Sequence, residues 1–184
     1  NNTGSGHVGL AALIENKRVA KMICSFPKSA NSFVFPDLYK KGEIELELVP
    51  QGTLAERIRA GGAGVPAFYT ATSVGTPLAE GKEVRNINGR DYVLEYGLTA
   101  DFALIKSLKA DRYGNLIYNK TARNFAPVMA MAAETTIVQT KEFVKAGELD
   151  PEVVVTPGIF VDQIITVADP LLESKLVAAG EVYP

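Results

Sequence analysis

The sequence predicts an α/β fold, a sheet covered by helices on both faces and interrupted by one antiparallel hairpin. Three observations predict it. Apolar runs of strand length alternate with helical patterns through the first third of the chain. Thr53-Leu54-Ala55-Glu56 has the spacing of a capping box and follows a strand-like run after Pro50-Gln51-Gly52. Asn88-Gly89 joins two strand-like stretches, the strongest short hairpin signal.

In chain order, Leu10, Leu13 and Ile14 stand at helical spacing within 7–16, and 19–24 reads as a buried strand after the Lys17-Arg18 turn. Residues 33–41 form a short helix stopped by Gly42. Between 43 and 49, Ile44, Leu46 and Leu48 alternate with Glu43, Glu45 and Glu47, as in a half-exposed strand. A helix starts at Thr53 and ends at Gly61-Gly62, since glycine tolerates the left-handed geometry of a C-terminus. Residues 82–95 give the hairpin. Strands follow at 102–106 and 116–118, then a short helix at 127–133 and strands at 135–139 and 161–167. We assign 1–169 to one domain with one core and 170–184 to a tail, where Leu171, Leu172, Leu176 and Val177 suit a short amphipathic helix.

Composition narrows the function classes. With 184 residues, 47% hydrophobic, 22% charged and net charge −2, the chain lacks the polyelectrolyte character that draws proteins to nucleic acid or anionic membranes. Its apolar runs fall far short of the roughly 20 residues of a spanning helix. The single cysteine, Cys24, excludes an intrachain disulfide, and cytoplasm is the expected compartment. The single histidine, His7, cannot alone build a histidine-based metal site, so no metal is expected.

Ligands of open α/β sheets gather at the carboxyl ends of strands, where loops meet helix N-termini. Two segments suit that place, 25–31 after one strand and Gln51 after another. Gln51 reads either as an exposed turn residue or as an uncharged donor for an oxygen that becomes negative in a transition state. Lys28 is either a solvated lysine or a partner for a carboxylate, and Arg123 and Asn124 share that ambiguity. Gly61, Gly62 and Gly64 either end a helix or let backbone approach a ligand phosphate, without the spacing of a dinucleotide fingerprint. Cys24, among Met22 and Ile23, reads as an inert buried thiol. No nucleophile stands out.

The run Leu48-Val49-Pro50-Gln51-Gly52-Thr53-Leu54-Ala55-Glu56-Arg57-Ile58-Arg59-Ala60-Gly61-Gly62-Ala63-Gly64-Val65-Pro66-Ala67-Phe68, with Ala122-Arg123-Asn124-Phe125, closely resembles the signature of family I CoA-transferase A subunits. The resemblance implies a three-layer α/β/α sandwich with the hairpin as an insert, here without the family's opening strand and its Gly-Gly-Phe-Gly loop. It implies a homologous B subunit for a partner, in a heterodimer or heterotetramer, and an acyl-CoA thioester as substrate rather than a permanently bound cofactor. The nucleophilic glutamate would belong to that partner and carry a glutamyl-CoA intermediate, while Gln51 donates to the thioester oxyanion. Cys24-Ser25-Phe26-Pro27-Lys28 and Ile159-Phe160-Val161 look most like the branch that moves CoA from succinyl-CoA to 3-oxoadipate; acetoacetate or another short acid is the alternative acceptor. On this reading Ser25, Lys28 and Asn31 line the substrate site, with Lys28 favouring acids that carry a distal carboxylate. A non-catalytic module binding an acyl-CoA or sugar phosphate is the more distant alternative. Where the family often has Thr-Pro-Thr-Gly-Val-Gly-Thr this chain has Thr70-Ala71-Thr72-Ser73-Val74-Gly75-Thr76, and because serine tolerates positive φ poorly a differently shaped loop is expected.

Overall fold

The structure, a computed structural model, describes residues 2–167 and Ala179. Apart from Ala179, the predicted tail lies outside the described residues. In chain order the elements are α1 (Leu10–Glu15), β1 (Lys21–Cys24), α2 (Val34–Lys40), β2 (Glu45–Leu48), α3 (Gln51–Gly62), β3 (Ala67–Thr70), β4 (Val84–Ile87), β5 (Arg90–Tyr96), β6 (Ala100–Asp111), β7 (Leu116–Ile117), α4 (Ala122–Met131), β8 (Ala133–Val144) and β9 (Gln163–Thr166). They gather into two compact units, one from 2–54 and 71–93, the other from 55–70 and 94–167. The buried side chains form two clusters, one in each unit, where the sequence suggests a single core.

In the first unit β1 and β2 pair in parallel, Met22 opposite Leu46 and Cys24 opposite Leu48. The buried Met22 and Cys24 of β1, with Ile44 just before β2, pack with Ile14, Val34 and Phe35 of the two short helices. Of the apolar trio predicted for α1 only Ile14 is buried; its partner on that face is Ala11, three residues earlier, and Leu10 and Leu13 turn outward. The alternation predicted for β2 also breaks at its end, where Leu48 is exposed and Val49 is buried. The chain before α1 lies close upon it. A Cβ built on Gly4, whose φ is +83, would stand 2.7 Å from the amide nitrogen of Ala11, so only glycine fits there. The β4–β5 hairpin turns at Asn88 (φ 53) and Gly89 (φ 81), the two left-handed residues that a type I′ turn demands.

The second unit holds a sheet in the order β7-β6-β8-β9. The β6–β8 pairing is parallel and runs from Ala100↔Ala133 to Asp111↔Val144, well past the 102–106 and 135–139 that apolar runs predict. The extension passes through polar residues, with Lys109 and Glu142 forming a cross-strand ion pair at 2.9 Å. Asp111 ends β6. Its buried carboxylate accepts the backbone N–H groups of Tyr113 and Asn115, both at 2.9 Å, and the Asn115 amide at 2.8 Å, closing the turn into β7. Helix α4 lays Ala126 and Ala130 against Ala103, Ile105 and Val138, the inward-facing set of β6 and β8. On the opposite face of β6, Phe102 and Leu104 are exposed at 64% and 72%, so among the described residues this face lacks the helical cover expected of a sandwich. No described helix is long and apolar enough to cross a membrane.

Candidate active site

Parallel pairing sets the position of the site. Because Cys24 lies opposite Leu48 and the Val49 N–H donates to the Cys24 carbonyl at 3.0 Å, Ser25 and Val49 leave the sheet side by side. Pro50 and Gln51 come next. The Leu54 N–H donates to the Pro50 carbonyl at 2.9 Å, the first turn of a helix that starts at Gln51. The backbone N–H groups of Gln51, Gly52 and Thr53 therefore have no acceptor inside α3 and carry the partial positive charge of its N-terminus. Gln51 is exposed there, so a neutral side-chain amide and a row of backbone donors occupy the carboxyl end of the strand pair.

Ser25 opens a loop that the N-terminal stretch of the chain pins in place. Thr3 Oγ1 donates to the Pro27 carbonyl at 2.6 Å, the Gly6 N–H donates to the Asn31 carbonyl at 2.9 Å, and the buried Ser32 hydroxyl donates to the Gly4 carbonyl. Ser25 is half-buried, whereas Lys28 and Asn31 are exposed further along the same loop. The fold thus brings Ser25 and Gln51 to neighbouring strand ends and carries Lys28 and Asn31 on an anchored loop that begins there. Thr3 and Ser32 do not figure in the sequence reading. Their acceptors lie 24 and 28 residues away, beyond the reach of any local pattern.

The capping box is not formed. Helix α3 begins two residues before Thr53, whose hydroxyl is buried without a hydrogen-bond partner in a residue only 4% exposed. Glu56 turns away to receive Arg59 instead, at 2.6 and 2.8 Å. That guanidinium holds the Glu56 carboxyl below the ordinary carboxylate range. With Pro50 fixed before Gln51, the helix is entered earlier than its sequence caps suggest.

Gly61 and Gly62 are residues of α3 itself, about 15 Å along the helix from Gln51 at 1.5 Å per residue. A Cβ on Gly61 would stand 2.3 Å from the Leu98 carbonyl oxygen, and one on Gly62 would stand 2.8 Å from the Met131 carbonyl carbon. Both glycines let backbone lie against backbone within the second unit. Gly64, at φ +71, ends the helix: its N–H donates to Gly61 C=O at 3.1 Å and the Val65 N–H to Ala60 C=O at 2.8 Å, a Schellman motif.

His7 is exposed, 2.9 Å from a Glu15 carboxylate oxygen and edge-on to Phe33. Cys24 is fully buried, and burial pushes its thiol above the ordinary range, so thiolate is scarce. Arg123 and Asn124 lie exposed in the first turn of α4, in the second unit. Ser73 keeps the left-handed backbone, φ 76, that its side chain disfavours, so the loop holds the conformation a glycine would take more easily.

Residues 1–166 match the family model described as Coenzyme A transferase. The chain is 59% identical over 168 residues to the A subunit of 3-oxoadipate CoA-transferase from Pseudomonas putida, covering 91% of this chain and 73% of that protein. It is 55% identical over 165 residues to the A subunit of a probable succinyl-CoA:3-ketoacid coenzyme A transferase from Bacillus subtilis, covering 90% and 68%. Among solved structures, glutaconate coenzyme A-transferase of Acidaminococcus fermentans superposes with a TM-score of 0.77 at 21% identity, covering 98% of this chain and 63% of that one. An acyl-CoA transferase of Escherichia coli O157:H7 gives 0.76 at 21% identity, with 90% of this chain spanning 38% of the solved one. Those likenesses fix the fold.

Proposed function

Because this chain belongs to the coenzyme A transferase family, we propose that it is the A subunit of an enzyme that moves CoA from succinyl-CoA to 3-oxoadipate, completed by a B subunit. One observation carries the reading: an exposed Gln51 heads α3, beside backbone N–H groups that have no acceptor in the helix, in a chain 59% identical to the A subunit of a 3-oxoadipate CoA-transferase. The partner's glutamate attacks the thioester carbonyl; a C–O bond forms and the π pair moves onto oxygen. Gln51 donates to that oxyanion. Collapse breaks the C–S bond, leaving an acyl-glutamyl anhydride and CoA thiolate. The thiolate then attacks the glutamyl carbonyl and expels succinate, giving glutamyl-CoA, and 3-oxoadipate reverses these steps to leave as its CoA ester.

In this scheme this chain stabilises charge and orients the acid. Lys28 supplies an ammonium for the distal carboxylate that succinate and 3-oxoadipate share and acetoacetate lacks, with Ser25 and Asn31 beside it. Gly61, Gly62 and Gly64 act through packing and helix termination, not by touching a phosphate. A second reading keeps the chemistry and makes acetoacetate or another short acid the acceptor; its support is the 55% identity to the Bacillus subtilis protein, whose name gives a 3-ketoacid without saying which. Transfer needs no metal in either reading, and the protein would work in the cytoplasm as a heterodimer or heterotetramer.

The test is co-expression with a B subunit, followed by assay of succinyl-CoA against both acids. Gln51→Ala is expected to lower kcat by about 10² to 10³ with melting unchanged. Full activity of that variant, or of the isolated chain, refutes the reading. Equal use of the two acids by the wild type and by Lys28→Ala refutes the role of Lys28.

A further inference from the structure

A glycine weakens a helix, so its presence in one normally has a cause within the fold. Three glycines of this segment show such causes. Gly64 needs its positive φ, and Gly61 and Gly62 press directly on the backbone of Leu98 and Met131. Gly52 has neither. It is the second residue of α3, its φ is not positive, it is exposed, and a Cβ built there would meet nothing within 4 Å. Nor is it a cap, since the Pro50 carbonyl already accepts the first helical bond. Among the described residues nothing asks for glycine at 52, and its own neighbour is Gln51.

We propose that Gly52 is a positioning residue for the reacting thioester, its bare Cα leaving the clearance through which the acyl-CoA carbonyl reaches the Gln51 amide. The inference rests on the reading of Gln51 given above. An oxyanion donor acts at about 2.7–3.1 Å from the oxygen. An oxygen held that close to a side chain in the first helical turn also lies against the next residue, and a methyl at 52 would hold it away. The Gly52 N–H, which has no acceptor within the helix, faces the same charge. The clearance therefore serves the transition state and not the fold.

The experiment uses the A–B complex with Gly52→Ala and Gly52→Val. The rate at which succinyl-CoA places a CoA adduct on the B subunit is followed by quenched-flow mass spectrometry, with thermal melting and size exclusion alongside. The alanine variant is expected to melt no lower than the wild type, to remain in complex, and to form the adduct at least tenfold more slowly, with kcat falling more than KM changes; valine deepens the loss. Adduct formation within twofold of wild type in both variants overturns the proposal. So does a loss that comes only with dissociation of the complex, which would mean that Gly52 makes room for the partner's surface. A wild-type complex that transfers CoA to neither acid overturns the proposed function itself, whatever the variants do.

Discussion

Gly61→Ala is the sharpest test of how α3 is held in the second unit. The added Cβ would stand 2.3 Å from the Leu98 carbonyl oxygen, 2.7 Å from its carbon and 3.0 Å from its nitrogen. A carbon and a carbonyl oxygen ordinarily meet at about 3.3 Å, so the helix and the connection between β5 and β6 must part by roughly 1 Å. Backbone cannot rotate aside as a side chain can. Overpacking of this kind costs about 1–3 kcal/mol. The same segment is tied to α3 by Leu98 N–H to Arg57 C=O at 2.7 Å and Arg57 Nε to Tyr96 C=O at 3.0 Å, and loosening them adds about 1 kcal/mol. Alanine's better helix propensity returns roughly 0.5–1 kcal/mol, leaving a net loss of about 1–3.5 kcal/mol. For a chain of this size that lowers Tm by about 2–14 °C. Differential scanning calorimetry of the purified protein measures it. Gly64→Ala, which clashes with nothing but must hold φ +71, should lose only about 1–2 kcal/mol. A Gly61→Ala variant melting within 2 °C of wild type, or a Gly64→Ala variant hurt more, would refute the backbone-contact account.

The remaining predictions also concern stability. Thr53→Val should leave the protein as stable or raise it by up to about 1 kcal/mol, because it removes a buried hydroxyl without a partner; a loss of about 1 kcal/mol in denaturant titration would restore the capping role. Ser73→Gly should stabilise by about 1 kcal/mol, relieving a left-handed serine whose hydroxyl is likewise buried and unpartnered, and a lowered denaturation midpoint would contradict it. The Arg59 bond depresses the Glu56 carboxyl, so the pair's contribution is complete above about pH 4.5 and is lost as pH falls through the lower folded value. Glu56→Gln should therefore cost a few tenths of a kcal/mol at pH 7 and progressively less as the pH is taken down below 4.5, by thermal melts along that series.

What the sequence reveals follows from how local each signal is. The Asn88-Gly89 turn is legible because both residues must adopt positive φ and their neighbours alternate. Strand β3 (Ala67–Thr70) escapes a sequence reading, being four residues between Gly64 and Ala71 with no alternation to betray it. The strands β6 and β8 are visible in part only, since pairing carries them through Lys109 and Glu142 where hydropathy fades. Helix α4 runs from Ala122 to Met131 with Pro127 inside, whereas proline preferences would make Pro127 its first residue; as the sixth residue it lies past the first turn and forgoes the N–H bond to the Arg123 carbonyl. At the candidate site, sequence places Gln51 at a strand end but puts the helix two residues late, because capping preferences of about 1 kcal/mol yield to the geometry that Pro50 imposes. The anchoring of the Lys28 loop is illegible because its hydrogen bonds reach back to Thr3, Gly4 and Gly6.

The lone thiol of the chain sits in the interior of only one of the two units. A disulfide reagent added to the native protein therefore cannot report on fraying at the surface, nor on the second unit; its labelling rate times the opening of the β1–β2 region alone. Compared with amide exchange in β6 and β8, that clock would tell whether the strand ends bearing Ser25 and Gln51 loosen together with the long sheet or ahead of it.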